Sequence, residues 1–175
     1  MTDVLERPRT ARAEAPPPEH FDMLVVGAGI SGIGAARHLT HQTPWASFVV
    51  LEAMETFGGT WWTDRYPGAR SDSDLYTFGY RFKPWTNAPI ASREEILKYM
   101  GEVIEEDGLA ERIRYRHRIA SARWDSGTAR WTVEGVRGEA EEPFTITCGF
   151  LWMCQGYYRH TEGYTPDWPG LADYK

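Results

Sequence analysis

An α/β fold, with a parallel sheet at its centre and an antiparallel β-meander attached, is what three features of this sequence predict. The first is a glycine-spaced turn, Gly27-Ala28-Gly29-Ile30-Ser31-Gly32, set between an apolar run and a helix-like segment. The second is an acid, Glu52, closing the next apolar run. The third is a series of alternating apolar segments after residue 113, separated by turn-rich text. Together they predict a Rossmann-like βαβ unit followed by a meander.

The elements follow in order. Phe21 to Val26 (FDMLVV) has the length and apolar character of a buried parallel strand. Ile30 to His41 reads as a helix, with small residues Gly32, Gly34, Ala35 and Ala36 toward the sheet. Ser47 to Leu51 is the second strand. Thr56 to Pro89 is rich in Gly, Pro, Asp and aromatics without a sustained period, and a loop of that length in a compact domain is usually functional. Ser92-Arg93-Glu94-Glu95 is a capping box. The helix it opens puts Ile96, Leu97, Met100, Val103 and Ile104 on one face, and Gly108 ends it. Ile113 to Trp124, Trp131 to Val136 and Phe144 to Thr147 read as meander strands, and Phe150 to Cys154 as a separate buried strand ending at Gln155-Gly156.

Bulk properties set limits. The chain of 175 residues is long enough for one domain with a real core. Its formal charge of -6, with no basic block, argues against a nucleic-acid partner. No apolar run approaches the length of a membrane span. Residues 1–20 mix both charge signs with Pro and Ala and lack the apolar stretch of a secretory signal, so they read as a disordered tail ahead of a domain at 21–175. The two cysteines, Cys148 and Cys154, form no CxxC and sit in strand-like text as buried free thiols; a cytoplasmic location is expected. No histidine has a metal-ligand partner at useful spacing, and no metal is assigned.

The glycine turn has a mechanical reading. Gly27 permits the tight turn, Gly29 lets the backbone approach a pyrophosphate, and Gly32 allows the helix to pack on the strand. The pyrophosphate lies on the helix N-terminus, where unpaired N–H groups and the dipole favour an anion. Glu52 stands where an acid binds a ribose hydroxyl, and its charge disfavours a 2′-phosphate, so this site suits FAD or NAD.

Gly58-Gly59-Thr60-Trp61-Trp62 and Arg65-Tyr66-Pro67-Gly68-Ala69-Arg70-Ser71-Asp72, with Arg81-Phe82-Lys83-Pro84-Trp85 behind them, carry a resemblance. Here the sequence resembles the class B flavoprotein monooxygenases of the Baeyer–Villiger branch, the ethionamide-activating type among them, from Phe21 onward. The resemblance implies that Gly27, Gly29, Ser31, Gly32 and Glu52 hold the ADP half of FAD. It implies that Gly59, Thr60, Trp61, Trp62 and Thr63 run along the ribityl chain and flavin. Asp72 would lie beside the flavin in a supporting catalytic role, and Arg70, Ser71 and Asp72 would approach NADPH. Ile119 would offer a backbone contact to adenine, and Gly156 would end a second cofactor-facing strand. The implied activity is oxygen insertion beside a ketone, or sulfur or nitrogen oxidation, through a C4a-peroxyflavin made from NADPH-reduced FAD and O₂.

Departures from the family pattern are Cys154-Gln155 before Gly156, and Phe78 where some relatives have a flavin-side tyrosine. The family's NADPH domain and its principal catalytic arginine have no counterpart in these residues, so the expectation is an incomplete two-dinucleotide-domain flavoprotein that binds without turnover. Exposed, Trp-rich surface near residues 60–85 is expected with it. The bland alternatives are core roles for Trp61, Trp62 and Trp85, surface ion pairs for Arg65 and Arg70, and a turn-forming Asp72. Rival functions are an NAD-dependent oxidoreductase and a non-catalytic remnant; a flavin disulfide reductase would need a redox cysteine pair that the sequence lacks.

Overall fold

Residues 17–158 and 162–174 are described by the computed structural model. The chain runs β1 (Glu19–Val26), α1 (Ile30–Gln42), β2 (Phe48–Leu51), α2 (Thr60–Thr63), α3 (Leu75–Phe78) and α4 (Arg93–Glu106). It continues as β3 (Ile113–Arg114), β4 (His117–Asp125), β5 (Arg130–Arg137) and β6 (Glu142–Met153). The strands join in one sheet, ordered β3-β2-β1-β6-β5-β4.

The parallel centre is β3-β2-β1-β6 and the antiparallel part is β6-β5-β4. β6 belongs to both. Its first half pairs antiparallel with β5, from Glu142 against Arg137 to Cys148 against Trp131. Its second half pairs parallel with β1 as far as Met153 against Val26. Two strands were expected here, at 144–147 and 150–154; the apolar text is interrupted only by Gly149, which extended backbone accommodates, so one strand serves both layers. The reverse holds at Ile113 to Trp124. That segment divides into β3 and β4 at opposite ends of the strand order, with Arg116 in the left-handed region at φ 55° making the break.

Two cores lie on the two faces of the parallel strands. Val25, Phe48 and Val50 pack with Ile33, Ala36 and Leu39 of α1 and with Ile96, Met100 and Val103 of α4. Leu24, Val49 and Leu51 pack with Val133, Ile146 and Cys148 of the meander. Strands buried on both faces explain why the sequence here is continuously apolar rather than alternating.

The capping box of α4 is complete. Ser92 accepts from the Glu95 N–H, and the Glu95 carboxylate accepts from the Ser92 N–H at 2.8 Å. On the buried face Tyr99 joins Ile96, Met100, Val103 and Ile104, while Leu97 is only half-buried. The tail boundary also moves. Glu19 and His20 pair with β6, and Glu19 takes both arms of the Arg114 guanidinium, at 2.6 and 2.7 Å. The remainder of the predicted tail, residues 1–16, lies outside the described residues.

Candidate functional site

The glycine turn leaves the end of β1 between two neighbours. The Gly27 N–H donates to the Leu51 carbonyl of β2 at 2.8 Å, and on the other side the Cys154 N–H donates to Val26 at 2.8 Å. Gly27 has φ 98°, and a Cβ there would stand 2.7 Å from the Cys154 carbonyl. At Gly32 a Cβ would collide with the Gly27 carbonyl, so helix and turn lie in backbone contact. α1 then begins at Ile30 with no side-chain cap and no acid in its first turn. Ser31, in that turn, is exposed.

The second glycine motif closes over the first. The Gly58 N–H donates to the Ala28 carbonyl at 2.9 Å, and Gly59, at φ 55°, rests against Gly29. Thr60 to Thr63 follow as the single turn α2, half-buried, with Trp61 packed on the first core.

Glu52 is only 7% exposed, and both its oxygens are engaged. Oε2 accepts from the Ala28 N–H at 2.6 Å and Oε1 from the Met54 N–H at 2.8 Å. A buried carboxylate requires such donors, and each oxygen retains lone pairs for another. Its backbone is tied as well, through the Arg114 carbonyl and the His117 N–H. Ile119 lies two residues further along β4, half-buried beside the second core.

What results is an uncapped helix N-terminus, bare of side chains, flanked by a second glycine loop and by a buried acid.

Comparison with known proteins agrees with that geometry. Residues 25–87 match the NAD(P)-binding Rossmann-like domain. The chain is 46% identical over 157 residues to the FAD-containing monooxygenase EthA of Mycolicibacterium smegmatis, covering 89% of this chain and 32% of that protein. Over most of its length the chain is similar to one part of the FAD-containing monooxygenases. It spans about a third of the length of the curated relatives it matches. Among solved structures, an oxidised steroid monooxygenase bound to NADP superposes with a TM-score of 0.70 at 31% identity, over 87% of this chain and 29% of that one. OTEMO in complex with FAD and NADP gives 0.69 at 28% identity, over 91% and 29%.

In this chain the Arg65–Trp85 segment divides into exposed and structural residues. Asp72 is exposed and accepts from the Ser73 hydroxyl at 3.2 Å. Arg70 is exposed and its backbone bridges to Ser92. Ser71 lies differently: it is 6% exposed, its N–H donates to the Ala91 carbonyl, and its hydroxyl accepts from the Ala91 N–H at 3.0 Å. That side chain anchors the loop to the start of α4. Asp74 caps α3, accepting from the Thr77 N–H at 2.8 Å. Arg65 stacks over Trp62 at 4.1 Å and donates from Nε to the Trp62 carbonyl, with Glu55 further off at 3.9 Å.

The tryptophans are not the exposed surface. Trp85 is buried with its indole N–H on the Ala88 carbonyl at 2.7 Å, and Trp61 and Trp62 are half-buried. The indole N–H groups of Trp62 and Trp85 find acceptors on Glu55 and on the Ala88 carbonyl, which offsets the cost of burying them. The exposed apolar groups between residues 60 and 85 are instead Tyr66, Tyr76 and Phe78, the last 64% exposed, and on β6 Phe150, Trp152 and Met153 are exposed as well. Beyond β6, Gly156 turns the chain at φ 75°. The neighbouring Tyr157 phenol, 3.2 Å away, holds the Tyr158 phenol above its ordinary value, with the Asp72 and Asp64 charges adding to it.

The motifs do not disclose Cys154, whose carbonyl walls the turn, or Tyr80, whose hydroxyl donates to the Ile30 carbonyl at 2.6 Å. The only sign of Tyr80 in the sequence is an aromatic at the close of a loop that must fold back on α1. Among the described residues no helix is long and apolar enough to cross a membrane, and no group of His, Cys, Asp or Glu could hold a metal ion.

Proposed function

We propose that this chain is the FAD-binding portion of an NADPH- and O₂-dependent flavin monooxygenase that acts on a small ketone or on a sulfur or nitrogen centre, working in the cytoplasm. The observation that carries the reading is the pairing of two glycine loops, Gly27–Gly32 and Gly58–Gly59, over an uncapped helix N-terminus with Glu52 buried beside it. A side chain at Gly27, Gly32 or Gly59 would collide with the backbone of Cys154, Gly27 or Gly29, so the loops close on one another only as glycines.

FAD fits these residues. The N–H groups at the start of α1 would take the pyrophosphate, and the spare acceptor capacity of Glu52 would take ribose hydroxyls. Thr60 to Thr63 would follow the ribityl chain. Asp72, exposed at the loop surface, would lie beside the ring system, with Arg70 near the nicotinamide cofactor. Ser71, through its hold on Ala91, would set the position of both. When bound, the flavin supplies the redox and oxygen chemistry, while the chain binds, orients and shields it.

The test is to purify the 175-residue chain, record its absorbance across the flavin bands, and titrate it with FAD while following flavin fluorescence. Saturable binding of one FAD per chain is expected, with no binding in a Gly27→Val variant. A colourless chain that FAD does not load would sink the reading and favour a non-catalytic remnant. Binding of NAD without FAD would favour a nicotinamide-dependent oxidoreductase.

A further inference from the structure

One phenol ties the long loop to the phosphate-facing helix. Tyr80 donates its hydroxyl to the Ile30 carbonyl, in the first turn of α1. Its ring lies against Gly34, where a Cβ would stand 3.0 Å from the Tyr80 ring. Its backbone N–H donates to the Tyr99 hydroxyl at 2.7 Å, and that hydroxyl donates onward to the Lys83 carbonyl. The ring is stacked between Phe82 and Tyr99, with centroids 4.7 and 5.4 Å away. Two rings, a helix surface and two hydrogen bonds leave this side chain a single place to be. Burial and the neighbouring Tyr99 push its phenol far above the ordinary tyrosine value, so it stays a donor at every working pH.

The phenol tethers the first turn of α1 without capping it. A helix start frays unless a cap holds it, and the usual cap is a side-chain oxygen on the N–H groups. α1 has none. A conventional cap would occupy the same N–H groups that an anion uses. Tyr80 reaches the turn from its carbonyl side and leaves those donors open.

We propose that Tyr80 is a positioning residue for the pyrophosphate-binding turn, tethering the first turn of α1 by the Ile30 carbonyl while leaving its N–H groups open. The proposal rests on the reading of this turn as the FAD pyrophosphate site. Gly34 is its counterpart, the small residue that lets the phenol reach the helix.

The experiment uses the full 175-residue chain and two variants, Tyr80→Phe and Gly34→Ala. Tyr80→Phe keeps the ring and removes only the hydroxyl. Gly34→Ala improves intrinsic helix propensity while displacing the phenol, so its effect on binding runs against its effect on the helix. Amide hydrogen exchange on the free chain and affinities for ADP and adenosine are the readouts. In both variants the Gly34 amide should exchange about five-fold faster relative to the α4 amides, and ADP should bind about five-fold more weakly with adenosine unchanged. Unchanged exchange at Gly34, or equal losses for ADP and adenosine, would overturn the proposal. If the parent chain binds neither FAD nor ADP, the flavin reading fails, and the exchange comparison still decides whether Tyr80 holds the turn.

Discussion

Gly59 faces Gly29 so closely that a Cβ built on Gly59 would stand 3.0 Å from the Gly29 Cα. Gly59 also has φ 55° and ψ -125°, a combination that side-chain-bearing residues avoid. Gly59→Ala should therefore cost about 1–3 kcal/mol of local strain. The strain falls on the junction of the two loops and not on either core. FAD affinity should drop by ten-fold or more while the urea midpoint of the free chain moves little; a variant that binds FAD normally would show that the junction is not needed for binding.

Glu52 offers a separable test. Glu52→Ala leaves the Ala28 and Met54 N–H groups without their acceptors beside the core. Hydrogen bonds to a charged group are worth about 1.5–3 kcal/mol each, so a loss on the order of 3 kcal/mol is expected by urea unfolding, even without cofactor. Glu52→Gln, which keeps one acceptor, should fall between. A free-chain stability equal to that of the parent would mean that Glu52 serves the ligand alone.

Ser92→Ala removes one arm of the capping box on α4. The expected cost is about 1 kcal/mol in urea unfolding. Because Ser92 also bridges the backbone of Arg70, the variant reports on the loop as well. FAD binding of the folded variant should stay within two-fold, and a larger loss would place the α4 start within the binding apparatus.

The Glu19–Arg114 pair predicts a pH effect. Hydrogen bonds from Arg114 hold the Glu19 carboxyl below its ordinary value of 4.5. With the folded value depressed, the stabilisation is complete above the unfolded pKa and is lost as pH falls through the folded one. The pair is partly exposed, so Glu19→Gln should cost less than about 1 kcal/mol at pH 7. Urea unfolding at a series of pH values should show the parent and variant converging toward pH 3. A gap that persists there would exclude the ion pair as its source.

Cys148 lies between both layers, and burial pushes its thiol up to about 11. At pH 8 it should therefore resist a maleimide in the folded chain and react at the rate of unfolding. Cys154, half-buried with its thiol also raised, should react faster. Equal rates for the two would contradict this packing.

Much of the frame was legible because it is local. β1, α1 and β2 announce themselves by apolar run, glycine spacing and terminal acid, and the α4 cap by four consecutive residues. What escaped reading was long-range. Ser71 looks like a loop serine, and only its pairing with Ala91 makes it an anchor. Trp85 looks equally suited to core or cofactor until its indole is seen on Ala88. The continuity of β6 could not be read from Gly149, since a glycine in apolar text marks a strand end as readily as a close backbone approach. Tyr80 shows locally only as one more loop aromatic, because its partner at Ile30 belongs to a different element.

The double membership of β6 has a consequence for how the chain assembles. The turn after β1 gets its far wall from Cys154, just past the end of β6, which follows β4 and β5 in the chain. Contacts so distant along the chain form slowly, because closing the loop costs entropy before any pairing compensates it. During synthesis the Gly27 turn can thus receive its Cys154 wall only after β6 has been made.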